Sequence, residues 1–435
     1  MKSFLALRPV LFKRELLLAA ASNRGRSFAL CTAAATTSQK RVKLSVRGYS
    51  TKKSVSVGGG GLKVEVEGGR KKRESLDNCR CASCINQDTR QRNFNTFAIP
   101  ADIKPESVSS TAEGVAVKWS DGHESNYDWD FIQHYVKEDK RDRSVTQDQH
   151  YWGAEIASNP PTISYNEVMN SDQGVADLTA KIQKYGFSFI SSTPSHDPDL
   201  TRQVLERIAF IRLTHYGGFY DFIPDLAMAD TAYTNLALPA HTDNTYFTDP
   251  SGLQAFHLLS HTPPPGVSAE TVQGGASLLV DGFNAAKVLK KEDPKAYEIL
   301  TQVRLPWHAS GNAGITITPD RLYPVLEVVD GELGRVRWNN DDRGVVPFGE
   351  GYTPEEWYGA ARKWDEMLRR RESEYWVQLT PGRVLVFDNW RVMHGRSAFE
   401  GIRRICGAYI NRDDWISRWR NTNFDRKKVL DSVIG

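Results

Sequence analysis

Residues 236–252 read LALPAHTDNTYFTDPSG, and apolar alternation gives way there to turn residues. Alternate side chains of a strand point to one face, so His241 and Asp243 leave a strand end on the same side. Two neighbouring positions around a metal ion come within their reach. A third ligand has to come from a later strand, and VLVFDNWRVMHGRSAF at 384–399 offers His394. Two histidines and a carboxylate on one face of an ion leave its other positions open, an arrangement suited to dioxygen chemistry on non-haem iron(II). An H-x-D pair alone is a weak signal, but the distal His-Gly-Arg strengthens it. Arg403 follows in GIRRICGAYI, nine residues past His394. Its planar guanidinium suits the remote carboxylate of 2-oxoglutarate. The adjacent Arg404 reads as a surface arginine.

The 435 residues exceed one ordinary domain, and 40% hydrophobic with 25% charged residues is a globular balance. No apolar run is long enough to span a bilayer. Residues 1–49 differ: they hold ten Lys or Arg and one acid, Glu15. FLALRPVLFKRELLLAAA can form a basic amphipathic helix, and RGYS at 47–50 resembles a matrix-protease site. The segment reads as a mitochondrial transit peptide, which places the protein in the matrix. A basic tail without an addressing role is the other reading. Without it the formal charge moves from +3 (56 − 53) to −6 (46 − 52), and the case for a nucleic-acid partner weakens.

SVSVGGGGL at 54–62 suggests a flexible joint, so 50–61 is read as a linker. Short alternating runs over 62–135 predict a small β domain, and the charged stretch 136–161 its connection to the larger one. Within 162–435, DLTRQVLERIAFIRLTHYGG spaces Leu200, Val204, Ile208 and Ile211 as a helix ending near Gly217. PEEWYGAARKWDEMLRRRE carries Trp357, Ala361, Trp364 and Leu368 on one helical face. GASLLVDGF and GRVLVFDNW read as buried strands. The expected class is α+β, mainly β, with a jelly-roll-like barrel braced by helices. No strand leads into G-x-G-x-x-G and no Walker sequence occurs, so nucleotide-phosphate chemistry has no support.

Five cysteines give no secreted-type disulfide framework. Cys79, Cys81 and Cys84 cluster in DNCRCASC, and His123 lies at a turn, WSDGHES, in the same small module. Together they make a closed tetrahedral zinc site, which would stabilise a domain too small to hold on its core alone. Three reduced cysteines with an unrelated turn histidine is the alternative.

NLALPAHTDNTYF, SLLVDGFNAA, VFDNWRVMHGR and RRICGAYINRDD resemble the trimethyllysine dioxygenase and γ-butyrobetaine dioxygenase family, and the likeness runs from about Leu62 past Asp414. The resemblance implies a zinc-bearing N-terminal β domain followed by a double-stranded β-helix, usually as a homodimer. It also implies Fe(II) on His241, Asp243 and His394, 2-oxoglutarate anchored by Arg403, ascorbate as reductant and O2 as oxidant.

A quaternary ammonium has no N–H to donate, so aromatic faces must hold it. The family's cage positions fall on Tyr216, Tyr220 and Tyr233, with Tyr409 at a further matching position. Tyr220 stands where the family usually has tryptophan, a weaker π face. Asp230 replaces a neutral amide of the butyrobetaine enzymes and favours a substrate with an α-ammonium, as trimethyllysine has. Asn339 and Asn340, in RWNNDDR, are candidates for the amino-acid end, or simply turn residues. A γ-butyrobetaine hydroxylase and a silent zinc-stabilised interaction protein are the competing readings. The second needs a broken ligand set or a lost Arg403, and neither is visible.

Overall fold

The computed structural model describes residues 54–58, 61–66, 70–74, 76–136, 148–223, 234–264, 266–268, 274–347 and 351–433. The transit-peptide expectation for 1–49 falls outside them. At the N-terminal end, Ser54–Gly58, Gly61–Val66 and Arg70–Glu74 form an antiparallel three-stranded sheet. The expected linker 50–61 therefore contains a paired strand. Its SVSV alternation of β-branched residues outweighs the glycines that follow.

A second antiparallel sheet, Pro105–Ser110, Gly114–Trp119 and Glu124–Asp128, follows. Strand periodicity puts Val115, Val117 and Trp119 on one face. They pack with Tyr127, Phe131, Ile132 and two of the clustered cysteines into a core of their own. Asp121 and Gly122 make the last hairpin's turn, with Gly122 at φ +86°, so His123 is presented at the start of the returning strand.

The larger unit is built on two facing sheets. The major sheet runs in the order Thr162–Ser164, Phe187–Ser191, Arg383–Asp388, Leu253–Thr262, Ile402–Ile410 and Tyr220–Phe222. The minor sheet runs Leu238–His241, Val392–Arg396, Ser277–Asp281 and Tyr375–Val377. Alternation sorts the major strands: Leu385 and Phe387 face the minor sheet with Leu258, Leu279 and Val392. Val384 and Val386 face outward onto the helices Asp172–Tyr185 and Pro198–Glu206. The minor sheet's outer residues Leu278, Val280 and Met393 meet Gly282–Glu292, Pro294–Gln302 and Pro354–Leu368. Trp357, Ala361, Trp364 and Leu368 are buried there, as their spacing predicts.

Two boundaries differ from expectation. The helix that begins at Pro198 ends at Glu206 rather than running on past Ile211. Ile211 instead bridges Ile410 at the sheet, so strand-type pairing overrides helical spacing beyond Glu206. The connection is also shorter than 136–161, because Trp152 is fully buried, donates its indole N–H to Tyr185 O at 2.6 Å and receives the larger unit. Asp281 takes the Trp152 N–H, caps the helix Gly282–Glu292 and pairs with buried Arg391 at 2.7 Å, tying three distant segments together.

Candidate active site

His241 ends its minor-sheet strand and lies directly opposite His394 on Val392–Arg396. Asp243 sits just beyond the strand, yet the alternation persists through Thr242, which turns the other way. The Thr242 hydroxyl accepts from Trp338 N at 3.0 Å, and its own N–H donates to Trp338 O at 2.7 Å. Asn389 then clamps the Asp243 backbone from both sides. Its Oδ1 takes the Asp243 N–H at 2.8 Å, and its Nδ2 donates to Asp243 O at 2.9 Å. The ligand-type atoms of His241, Asp243 and His394 lie within 4.8 Å of one another.

Hydrogen bonds orient two of the three side chains, His241 and Asp243. His241 Nδ1 lies 2.8 Å from Pro239 O, so that nitrogen carries the proton and Nε2 keeps its lone pair. Asp243 Oδ2 accepts from Gln254 Nε2 and from the Tyr409 hydroxyl, each at 2.6 Å. Its Oδ1 faces His241 Nε2 at 3.3 Å and His394 Nε2 at 3.8 Å. Burial, reinforced by the charge of His241, takes His394 down to about 3 and keeps it neutral. Burial also opposes the charged forms of His241 and Asp243, but their mutual attraction prevails. His241 is raised, and Asp243, drawn also by His394, is held well below the usual carboxylate range. A carboxylate and two imidazole Nε2 atoms converging on one point are a donor set for a divalent cation, which would take the place of any proton on His241.

This trio opens into a cavity of about 440 Å³. On the inner face of Ile402–Ile410, Arg403, Ile405 and Tyr409 line it. Arg403 is 1% exposed, and its Nε and Nη1 have no hydrogen-bond partner among the described residues. Burial, and then the neighbouring Arg396, lowers its pKa only to about 10, so it stays a cation at neutral pH. A buried cation without a counter-charge is costly, and a carboxylate ligand would relieve it. A side chain on Gly275, at φ +71°, would put its Cβ 3.1 Å from the guanidinium carbon, so glycine leaves the room that Arg403 occupies. Arg404 points outward and binds Asp221 through both nitrogens, at 2.8 and 2.5 Å.

Tyr216 and Tyr220 line the same cavity with Phe222, Tyr246 and Phe256. The Tyr246 hydroxyl donates to that of Tyr216 at 3.3 Å. Tyr220 crosses over Gly407 to donate to Ala255 O at 2.8 Å, and its ring meets Tyr409 edge-on at 5.9 Å. A Cβ at Gly407 would come 2.8 Å from that hydroxyl, so this glycine gives Tyr220 its place. Asn339 lines the cavity. Asn340 does not: it is exposed, and its side chain accepts from Arg343 Nε at 3.3 Å, as a turn residue would. Asp230 and Tyr233 lie outside the described residues.

Gln254, Asn389, Tyr246, Asp341 and Asp342 were not singled out from the sequence. Arg396 entered it only as the arginine of the distal His-Gly-Arg.

In the small domain, His123 Nε2 lies 3.3, 3.6 and 3.4 Å from the sulfurs of Cys79, Cys81 and Cys84. A tetrahedral zinc with bonds of about 2.3 Å to sulfur and 2.0–2.1 Å to nitrogen has sulfur–nitrogen edges of about 3.5 Å. The four residues therefore fit such an ion. Burial, and then the charge of Cys79, pushes the Cys84 thiol up to about 12. A central cation would offset that repulsion.

Residues 141–409 match the family described as taurine catabolism dioxygenase TauD, TfdA family, and residues 60–133 the gamma-butyrobetaine hydroxylase-like N-terminal family. A trimethyllysine dioxygenase of Neurospora crassa is 64% identical over 82% of this chain and 82% of its own length. One from Meyerozyma guilliermondii is 38% identical over 87% of this chain and 97% of its own. The mitochondrial trimethyllysine dioxygenase of Homo sapiens is 36% identical over 79% and 80%. With an open histidine–carboxylate–histidine centre, a buried carboxylate-seeking arginine and these relatives, the chain belongs to the trimethyllysine dioxygenases of the TauD/TfdA family.

Proposed function

We propose that this protein hydroxylates N6,N6,N6-trimethyl-L-lysine at C3, the opening step of carnitine biosynthesis, using Fe(II), 2-oxoglutarate and O2. The observation that carries this reading is Arg403, a buried guanidinium with unpartnered N–H groups in the same cavity as His241, Asp243 and His394. In this reading the three hold iron, and Arg403 holds the remote carboxylate of 2-oxoglutarate. The chemistry supplied by that pair is oxidative: one oxygen atom of O2 goes to the oxoacid as it becomes succinate and CO2, the other to a substrate C–H.

The chain's own part is positioning. Tyr409 and Gln254 occupy Asp243 Oδ2 and so direct Oδ1 toward the histidines. Tyr216 and Tyr220 offer ring faces to the quaternary ammonium, with Tyr233 and Tyr409 assigned beside them by resemblance. Asn339, in the cavity wall, is assigned to the amino-acid end. Asp230 is assigned by resemblance to discriminate against substrates that lack an α-ammonium. Ascorbate keeps the iron reduced, Cys79, Cys81, Cys84 and His123 hold a structural zinc, and the protein works as a homodimer in the mitochondrial matrix. The mitochondrial names of the animal relatives and the basic N-terminal segment support that location.

His241→Ala tests the ligand assignment. Wild type is expected to form succinate in proportion to added trimethyllysine, and the variant to form none above background. A variant that retains trimethyllysine-dependent succinate formation contradicts the assignment.

A further inference from the structure

Among the unsatisfied groups on the residues that line the cavity is an acceptor. Gln254 sits on the inner face of Leu253–Thr262, is 2% exposed and lines the cavity. Its Nε2 donates to Asp243 Oδ2 at 2.6 Å, and a carboxylate can only accept, so the amide's orientation is fixed. Oε1 is then left buried with no partner among the described residues. Asp342 lines the same cavity, and its Oδ2 is held by the Thr245 hydroxyl at 2.6 Å. Asp243 and Thr245 belong to one short segment, so the iron-type carboxylate, the orphaned amide oxygen and Asp342 are knit together. Asp342 is near enough to His241 and Tyr246 for its charge to act on both.

What meets a buried acceptor must bring a donor. The dianion of 2-oxoglutarate has none, and neither has O2, a trimethylammonium or a carboxylate. Of the groups the reaction brings in, only the α-ammonium of an amino-acid substrate carries N–H donors, three of them with a full positive charge. Reaction at C3 also requires that ammonium close to the metal, since it is only two bonds from the reacting carbon. We propose that Gln254 Oε1 and the Asp342 carboxylate form the subsite for the substrate's α-ammonium. The inference rests on the trimethyllysine reading and adds to the role assigned to Asp230. Gln254 thereby works twice: its nitrogen orients the metal carboxylate and its oxygen receives the substrate. An analogue without the ammonium leaves Gln254 Oε1 without a donor, which makes the subsite a source of selectivity.

The test compares trimethyllysine with its des-amino analogue, 6-(trimethylammonio)hexanoate, which keeps the quaternary head, the chain and the carboxylate. Affinities are measured by calorimetry on the iron- and 2-oxoglutarate-loaded protein with oxygen excluded, and turnover is measured in parallel. Asp342→Asn is expected to weaken trimethyllysine about 10–100-fold and leave the analogue within about twofold. Gln254→Met is expected to shift the ratio of the two affinities the same way, and the ratio cancels any loss of iron through Asp243. If both variants weaken the two ligands equally, or neither, the subsite is overturned. The same holds if only Asp230→Asn changes the ratio. A wild type that binds and turns over neither compound overturns the trimethyllysine reading itself, whereas an unchanged ratio with active wild type overturns only the subsite.

Discussion

At the scale of single residues, the site depends on how one carboxylate is shared. Asp243 has two oxygens, and Gln254 and Tyr409 occupy one of them, so the other is left to the histidines. Burial, and then the charge of Asp243, raises the Tyr409 phenol far above its usual range, so it stays a donor. Removing that hydroxyl leaves Oδ2 held by Gln254 alone and loosens the carboxylate. Tyr409→Phe is expected to weaken iron binding about 10–100-fold, the cost typical of losing an outer hydrogen bond to a metal ligand. Equilibrium dialysis against Fe(II) without oxygen reads it, and an unchanged affinity would show that Gln254 alone suffices. That His241, Asp243, His394 and Arg403 meet in one cavity was legible in the sequence, because their residue types are chemically specific and their spacing crosses strand ends. Gln254 and Asp342 were not. A glutamine within an apolar strand resembles any edge residue until the fold sets it against Asp243, and RWNNDDR reads as a polar turn.

At the scale of elements, the segment 243–251 is locked by side chains that lie just past the ends of two remote strands, Glu332–Val336 and Arg383–Asp388. Arg337 is fully buried, is held by Glu327 at 3.0 Å, and donates to the carbonyls of Thr245, Phe247 and Thr248. Trp390 donates to Pro250 O at 3.0 Å, and Asn389 to Ser251 O at 3.1 Å. That segment carries Asp243 and Tyr246, so it joins the metal site to the aromatic wall. Arg337→Met leaves Glu327 paired with Arg335 but strands the carbonyls of Thr245, Phe247 and Thr248. A loss of about 2–4 kcal/mol in urea unfolding is expected, as for buried acceptors left without their donor. A loss below about 1 kcal/mol would mean that water or the flanking contacts hold the segment without it. These locks escape a sequence reading because each pairs residues far apart in the chain. The strands and the long helix Pro354–Leu368 were legible from periodicity, whereas the segment after Glu206 kept helical spacing but found a strand partner in Ile410.

At the scale of the whole molecule, two polar centres divide the work. The cysteine–histidine cluster sits in a small domain whose core includes two of its own ligands, Cys79 and Cys84. A metal held there would contribute folding energy to that domain. Cys81→Ser is expected to abolish the zinc found by elemental analysis of wild type and to lower the first thermal unfolding transition. Zinc-free wild type, or an unaltered melt, contradicts this role. The other centre is the cavity between the sheets, where His241, Asp243 and His394 share the walls with buried Arg403 and the rings of Tyr216 and Tyr220. The central claim is tested most directly by mass. The purified protein is incubated with Fe(II), 2-oxoglutarate, ascorbate and either trimethyllysine or γ-butyrobetaine in air. The account predicts a product one oxygen atom heavier from trimethyllysine, with succinate in equal amount, and little or none from γ-butyrobetaine. A heavier product from γ-butyrobetaine alone, or from neither compound, would contradict it.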